Sequence, residues 1–242
     1  MNRNPFALKW LVLSLLSITT IVNAETPDTL HVESPDWREQ IIYFVMIDRF
    51  NDGNSQNNDQ GTGEFDPLKS SHYSGGDLSG ITEKINYIKT LGATSVWITP
   101  PVAHQWWSKP ANYGGYHGYW GENLMKVDAH FGTLADMKDL SRTLHAQGMY
   151  LVQDVVVNHM GNYFAYDSKQ WDPPRPESGF RLEAGSSHAR APSQEPFRFN
   201  NAADPQQAAR GIYHWTPDIV DYTNPEQEHN WQMAGLDDIN TE

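Results

Sequence analysis

Cysteine is absent from the 242 residues. Disulfide staples are therefore excluded, and an exported chain without them has bound metal as an alternative means of bracing its loops. Positive charge is scarce: 17 Lys and Arg face 30 Asp and Glu, a net charge of −13. That balance argues against nucleic acid as a partner. Long apolar runs are also lacking. The most apolar stretch, Trp10 to Val22, is diluted with Ser and Thr and is too short to read as a bilayer span. No internal repeat, low-complexity tract, G-x-S-x-G elbow, H-E-x-x-H zinc helix or phosphate-binding glycine loop occurs.

What is present begins with a secretory pattern. Arg3 and Lys9 supply a positive start, the apolar stretch follows, and Val22-Asn23-Ala24 is a small-residue cleavage site, so residues 1–24 read as a signal peptide. An uncleaved anchor is the alternative. Cleavage removes Arg3 and Lys9 and no acid, taking the net charge from −13 to −15. The expected location is secreted or periplasmic, with no membrane association after cleavage. The remaining length suits one domain with a sizeable core.

The stretch Met149 to Met160 organises the rest. Tyr150 to Val157 is almost wholly apolar and β-branched, the pattern of a strand buried on both faces of a parallel sheet. Asp154 interrupts it, and a buried carboxylate needs a cation, a donor network or a ligand. Asn158 and His159 stand where the strand should give way to a loop, the edge at which parallel α/β sheets bind ligands. The alternative is a core strand whose polar residues are satisfied by neighbours.

Upstream, Gln40 to Ile47 reads as a first strand and Ala93 to Thr99, closed by Pro100-Pro101, as a second. Ile81, Ile85, Ile88 and Leu91 fall at helical spacing with Gly92 as a stop. Thr133 with Asp136 predicts a capped helix whose inner stripe is Leu134, Met137, Leu140 and Leu144, ended by Gly148. The order β-α-β-α-β implies parallel strands with right-handed crossovers. Helix-to-strand turns are minimal, whereas the segments leaving the strands (48–79, 100–132 and 158 onward) are long, as in an α/β barrel that builds its site on one edge. Residues from about Asn158 to Ala234 are too long and too weakly periodic for a connection and read as an inserted irregular subdomain.

Three constellations could carry chemistry. Asp52-x-Asn54-x-x-Asn57-Asn58 offers hard oxygen ligands suited to calcium, although it lacks the EF-hand pattern, and a solvated turn is the alternative. Trp106-Trp107 and Tyr113-Gly-Gly-Tyr116-His117-Gly118-Tyr119-Trp120 place aromatic rings in a glycine-rich loop. A saccharide, whose C–H faces pack on such rings, is a natural ligand; packing beneath the inserted subdomain is the alternative. Asp154 with Asn158 and His159 could serve acid–base chemistry, bind metal or hold substrate. His31, His72 and His188 read as surface residues.

His117-Gly118-Tyr119-Trp120, Phe131-Gly132-Thr133, Asp154-Val-Val-Val-Asn158-His159 and Gly235-Leu236-Asp237-Asp238-Ile239-Asn240-Thr241-Glu242 resemble the successive motifs of the α-amylase family of glycoside hydrolases. The acidic loop with Gly75-Gly76-Asp77-Leu78-Ser79-Gly80-Ile81 is most similar to its cyclodextrin glucanotransferase and cyclomaltodextrinase branch. The resemblance spans essentially the whole mature chain. It implies the N-terminal part of a (β/α)8 TIM barrel, about three strands, with a B domain inserted after the third. The expected boundaries are 25–157 for the first part of the barrel domain, 158–234 for the B domain and 235–242 for the return toward the barrel.

Carried over residue by residue, the resemblance implies calcium ligands at Asn158 and Asp238 between barrel and insert. A second calcium site is implied at Asp52, Asn54, Asn57, Asn58, Gly75 and Asp77. It implies hydrogen bonds from His117 and His159 to a glucose unit, stacking by Tyr119, a place for Trp120 at the pocket wall, and a supporting acidic role for Asp154. The implied substrate is an α-glucan cleaved with retention. The family's nucleophile, acid and third carboxylate follow the fourth, fifth and seventh strands, and no position of this sequence matches any of them. The chain is therefore expected to be inactive and only marginally folded alone. A calcium-stabilised, non-catalytic sugar-binding accessory protein is the second expectation.

Overall fold

A computed structural model describes residues 30–109, 111–183 and 189–242; the predicted signal peptide and His188 lie outside the described residues. Residues Val32–Glu242 form one unit. Its elements are β1 (Ile42–Val45), α1 (Leu78–Glu83), α2 (Ile85–Thr90), β2 (Ser95–Ile98), β3 (Val102–His104), β4 (Trp107–Ser108), β5 (Tyr113–Gly114), β6 (Gly121–Val127), α3 (Leu134–Ala146) and β7 (Tyr150–Gln153). There follow β8 (Phe164–Tyr166), β9 (Phe180–Leu182), α4 (Pro205–Ala208) and α5 (Pro225–Asn230).

The central sheet has the order β1-β2-β7, all parallel, with Val45 opposite Ile98 and Ile98 opposite Gln153. The helices are built as their sequence dictates. Asp77 caps α1 by accepting from the Gly80 backbone N–H, and Thr133 with Asp136 forms a complete capping box on α3. The periodic segment from Ile81 to Leu91 divides at Lys84 into α1 and α2. Ile81, Ile85 and Ile88, with Leu140 and Leu144, bury against Val45, Val96 and Ile98 in one core. Two positions of the predicted stripes turn outward instead: Leu91 and Leu134, each at a helix end, are exposed.

The strand read as buried on both faces is not so. It ends at Gln153, and Val155 and Val157 are exposed. By alternation Val155 and Val157 continue the Leu151 and Gln153 side of β7, past the end of the strand and at an edge of the sheet. The sheet itself is also covered unequally. Helices cover one face, while Ile42, Phe44 and Trp97 emerge on the other, and β1 and β7 are open edges. Three strands cannot close a barrel, so this is a partial (β/α)8 fold.

The long segment after His159 has its own core. Met160, Tyr163, Phe164, Tyr213 and Ile239 bury together, with Trp215 packed on Phe164 at 5.3 Å between ring centroids. The β8–β9 hairpin supports one side, and α4 and α5 are each capped by Asp204 and Asn224 with proline in the first turn.

Candidate functional site

The site grows from the ends of β2 and β7. Beyond β2 the chain turns back as the antiparallel pair β3–β6, and the aromatic loop hangs between those strands. Gly118 lets that loop close over the sheet: it has φ +84°, and a Cβ there would stand 2.2 Å from the Pro100 carbonyl oxygen. Gln105 ties the loop down. Its backbone N–H donates to Trp120 O (2.8 Å), and its side chain both accepts from Asn162 N (2.8 Å) and donates to Asn162 O (3.2 Å). A loop glutamine gave no sequence signal for that role. Neither did Arg49, whose guanidinium lies 3.7 Å from the Tyr116 ring centroid and donates to His72 O (2.7 Å) and Ser70 O (2.9 Å). His72 is half-buried rather than a free surface residue, with its ring edge-on to Trp107.

Five of the predicted residues meet at one corner. The Tyr119 hydroxyl donates to Asp154 Oδ2 (2.9 Å), which answers the question of what the interrupting carboxylate does. Burial and then that bond push the Tyr119 phenol up to about 12. His117 accepts the Tyr119 backbone N–H on Nδ1 (3.0 Å), so its Nε2 carries the proton. Its ring stacks on Tyr119 and stands edge-on to Trp120 at 4.8 Å. Burial, reinforced by the positive fields of His104 and Arg49, lowers the His117 imidazole to about 4 and keeps it neutral. His159 donates from Nε2 to Tyr119 O (3.1 Å) and accepts the Asn158 amide on Nδ1 (2.6 Å), and burial holds it neutral as well. The corner is therefore a neutral, aromatic, hydrogen-bonded cluster with one carboxylate behind it.

Asn158 and Asp238 meet at the neighbouring cleft of about 490 Å³. Ile239 N donates to Asn158 O (2.9 Å), and Asp238 is bonded through Oδ2 to His214 Nδ1 (2.6 Å), a partner not foreseen from sequence. Burial raises the Asp238 carboxyl, with His214 opposing. The protein thus already supplies partners to the Asp238 carboxylate and the Asn158 amide.

The loop after β1 differs. Asp52 Oδ2 accepts the Asn58 amide (2.7 Å), while Asn57 Oδ1 and Asn58 Oδ1 are buried with no hydrogen-bond partner. Two orphaned amide oxygens beside a carboxylate are the hard donor set that a calcium ion completes. Gly75, at φ +92°, keeps this space open, because a Cβ there would fall 2.6 Å from Asn58 Nδ2. Asp77 is already engaged by N–H groups of Gly53, Asn54, Asn57 and Gly80, and Asn54 Oδ1 accepts Gln56 N within its own turn. Among the described residues, no three His, Cys, Asp or Glu side chains converge on a metal position, so any cation here relies on amide oxygens.

Residues 44–232 match the α-amylase catalytic-domain family. Over 127 residues the chain is 43% identical to the cyclomaltodextrin glucanotransferase of Klebsiella oxytoca, an alignment covering 51% of this chain and 19% of that protein. The solved structure of the three-domain cyclomaltodextrin glucanotransferase CldA superposes with a TM-score of 0.66 at 27% identity, over 83% of this chain and 38% of that one. The α-amylase of Geobacillus thermoleovorans, solved in complex with acarbose, superposes at 0.56 with 30% identity over 85% of this chain and 34% of that one. The chain thus spans about a fifth to two fifths of the length of these relatives.

Proposed function

This chain belongs to the α-amylase family, and from that premise we propose that it is the amino-terminal part of an exported, calcium-dependent glycoside hydrolase acting with retention on α-1,4-glucans such as starch, maltodextrins or cyclodextrins. In this reading residues 25–157 begin the barrel domain, 158–234 form the B domain and 235–242 lead back to the barrel. His117 donates from Nε2 to a glucose unit, Tyr119 stacks beneath it with its hydroxyl fixed by Asp154, and Trp120 walls the pocket. His159 shapes the pocket through Tyr119 O, and it must exchange that bond to reach sugar. The observation that carries the reading is the convergence of these five side chains on one corner at the sheet's carboxyl edge. The acarbose complex of the Geobacillus relative supports a sugar-like ligand.

Calcium would be held in the loop after β1 by Asp52 and the amide oxygens of Asn57 and Asn58, with Asn54, Gly75 and Asp77 shaping the cradle. At the cleft it would be held by Asn158 and Asp238. The ion would supply charge compensation that braces the loops; every hydrogen bond to sugar comes from the chain's own residues. Export would follow from the predicted signal peptide, and no helix among the described residues is long and apolar enough to cross a membrane.

Retaining hydrolysis needs two carboxyl groups about 5–5.5 Å apart across the scissile bond, and the corner brings one carboxylate, Asp154, to its ring of aromatics. On its own, therefore, the 242-residue chain is proposed to bind glucan without cleaving it. That same observation favours a second reading, a non-catalytic sugar-binding accessory protein. Calorimetric titration of the chain with maltoheptaose tests both. Binding that is lost in Tyr119→Ala and Trp120→Ala supports the site; unchanged binding in both variants contradicts it. Measurable starch turnover by the isolated chain would contradict the claim of binding without cleavage.

A further inference from the structure

Beneath the aromatic loop lies a charged cluster that the pocket does not use. His130 is buried, and both its ring nitrogens face carboxylates: Nδ1 meets Asp128 Oδ1 at 2.8 Å and Nε2 meets Glu64 Oε1 at 3.1 Å. An imidazole between two ionised carboxylates can satisfy both only by donating from both nitrogens, which requires the imidazolium form. The Tyr73 ring stacks on it at 4.0 Å between centroids and 17° between planes, a further preference for positive charge.

The partners come from two different loops. Glu64 and Tyr73 belong to the loop after β1, and Tyr73 N donates to Glu64 O (2.9 Å). Asp128 and His130 close the excursion after β2. Asp128 Oδ2 also accepts the Trp106 indole N–H (3.1 Å) and the His104 backbone N–H (3.1 Å), the residues that open the aromatic loop. Tyr73 completes a second bridge through its hydroxyl, 2.8 Å from His104 Nε2, while His104 Nδ1 donates to Val102 O (2.9 Å).

We propose that His130 is a buried, doubly protonated pin that clamps the loop after β1 to the aromatic loop after β2, and that the clamp opens when His130 loses its proton.

The surrounding charges fix the direction. Burial opposes the charged ring, but Asp128 and Glu64 outweigh it and raise His130 above the ordinary histidine value. Burial likewise pushes Glu64 up, yet His130, Thr62 and backbone donors hold it down at about 2, and Asp128 is held below the usual carboxylate range by His104 and His130. Asp48, which feels the His130 charge, is raised by burial to about 6 with Arg49 opposing. Tyr73 stays neutral, its phenol pushed well up by burial. A raised histidine contributes stability that is complete below its unfolded value, about 6.5, and is lost as pH rises through the folded value. The depressed carboxylates contribute above their unfolded values and fail as pH falls toward about 2 for Glu64. The clamp is therefore strongest in weak acid and yields first on the alkaline side.

The test uses the full chain, labelled with ¹⁵N, with long-range proton–nitrogen correlation of the histidine rings across pH. Both His130 nitrogens should remain protonated beyond about pH 6.5, and the Glu64→Gln variant should lower the midpoint. A wild-type midpoint at or below that of free histidine overturns the proposal without need of any variant. Hydrogen exchange, corrected for intrinsic rates, supplies the second readout. Amides around Tyr73 and Trp106 should lose protection together as pH passes the His130 midpoint while those of α3 keep theirs. Unchanged loop protection, or loss throughout the chain, would each overturn the clamp.

Discussion

The two faces of the β1-β2-β7 sheet are made from equally apolar residues and have opposite fates. On one face Val45, Val96 and Ile98 are essentially inaccessible beneath α1, α2 and α3. On the other, Phe44 is 47% and Trp97 38% exposed, paired edge-to-face at 5.0 Å with no layer above them among the described residues. The difference teaches that strand chemistry alone does not bury a strand; a second layer does. The aromatic corner proposed to bind sugar lies at the sheet's carboxyl edge, where neither face governs and the loops do.

Mutations on the two faces should therefore diverge. Ile98→Ala on the covered face is expected to cost the most, roughly 2–5 kcal/mol, read as a lower denaturant midpoint. Thr133→Ala removes the capping box that anchors α3 on that face and should cost about 1 kcal/mol by the same measurement. Tyr119→Phe at the edge leaves Asp154 without its hydroxyl donor and should cost on the order of 1 kcal/mol; a loss as large as that of Ile98→Ala would mean that the pocket is part of the core. Phe44→Ser on the bare face should change stability by no more than about 0.5 kcal/mol while lowering the binding of a hydrophobic dye. A core-sized loss there would show that the bare face is covered in solution.

The edge also has a pH signature opposite in sign to that of His130. With His117 lowered to about 4 by burial, its contribution to stability is complete above the ordinary value near 6.5 and declines as pH falls toward 4. Sugar binding should follow, weakening as His117 gains a proton and flat on the neutral side. Replacement by glutamine should flatten the acid limb, measured by calorimetry across pH.

Much of this was legible in the residues. The capping pair Thr133 and Asp136, the glycine stops at Gly92 and Gly148, and the parallel order all follow from local chemistry, and each is realised. The convergence of His117, Tyr119, Asp154 and His159 was implied by the resemblance of their motifs to the α-amylase family, not by spacing alone. What was not legible depended on partners distant in sequence. Val155 and Val157 read as core because burial was inferred from composition, yet they lie beyond the last paired residue of β7, which is an edge strand. Gln105, His214 and the Glu64–His130–Asp128 cluster carry no spacing signature, since their partners stand 57, 24 and 66 positions away. The loop after β1 was readable as a set of oxygen donors, but only the fold distinguishes the orphaned Asn57 and Asn58 oxygens from the engaged Asp77.

The most direct measurement of the central claim is a chemical-shift titration of the chain with maltoheptaose in the presence of calcium. The account predicts that the largest changes fall at His117, Tyr119, Trp120 and His159, with Phe44 and Trp97 unmoved. Changes centred on the bare face, or none at the aromatic corner at saturating sugar, would contradict it.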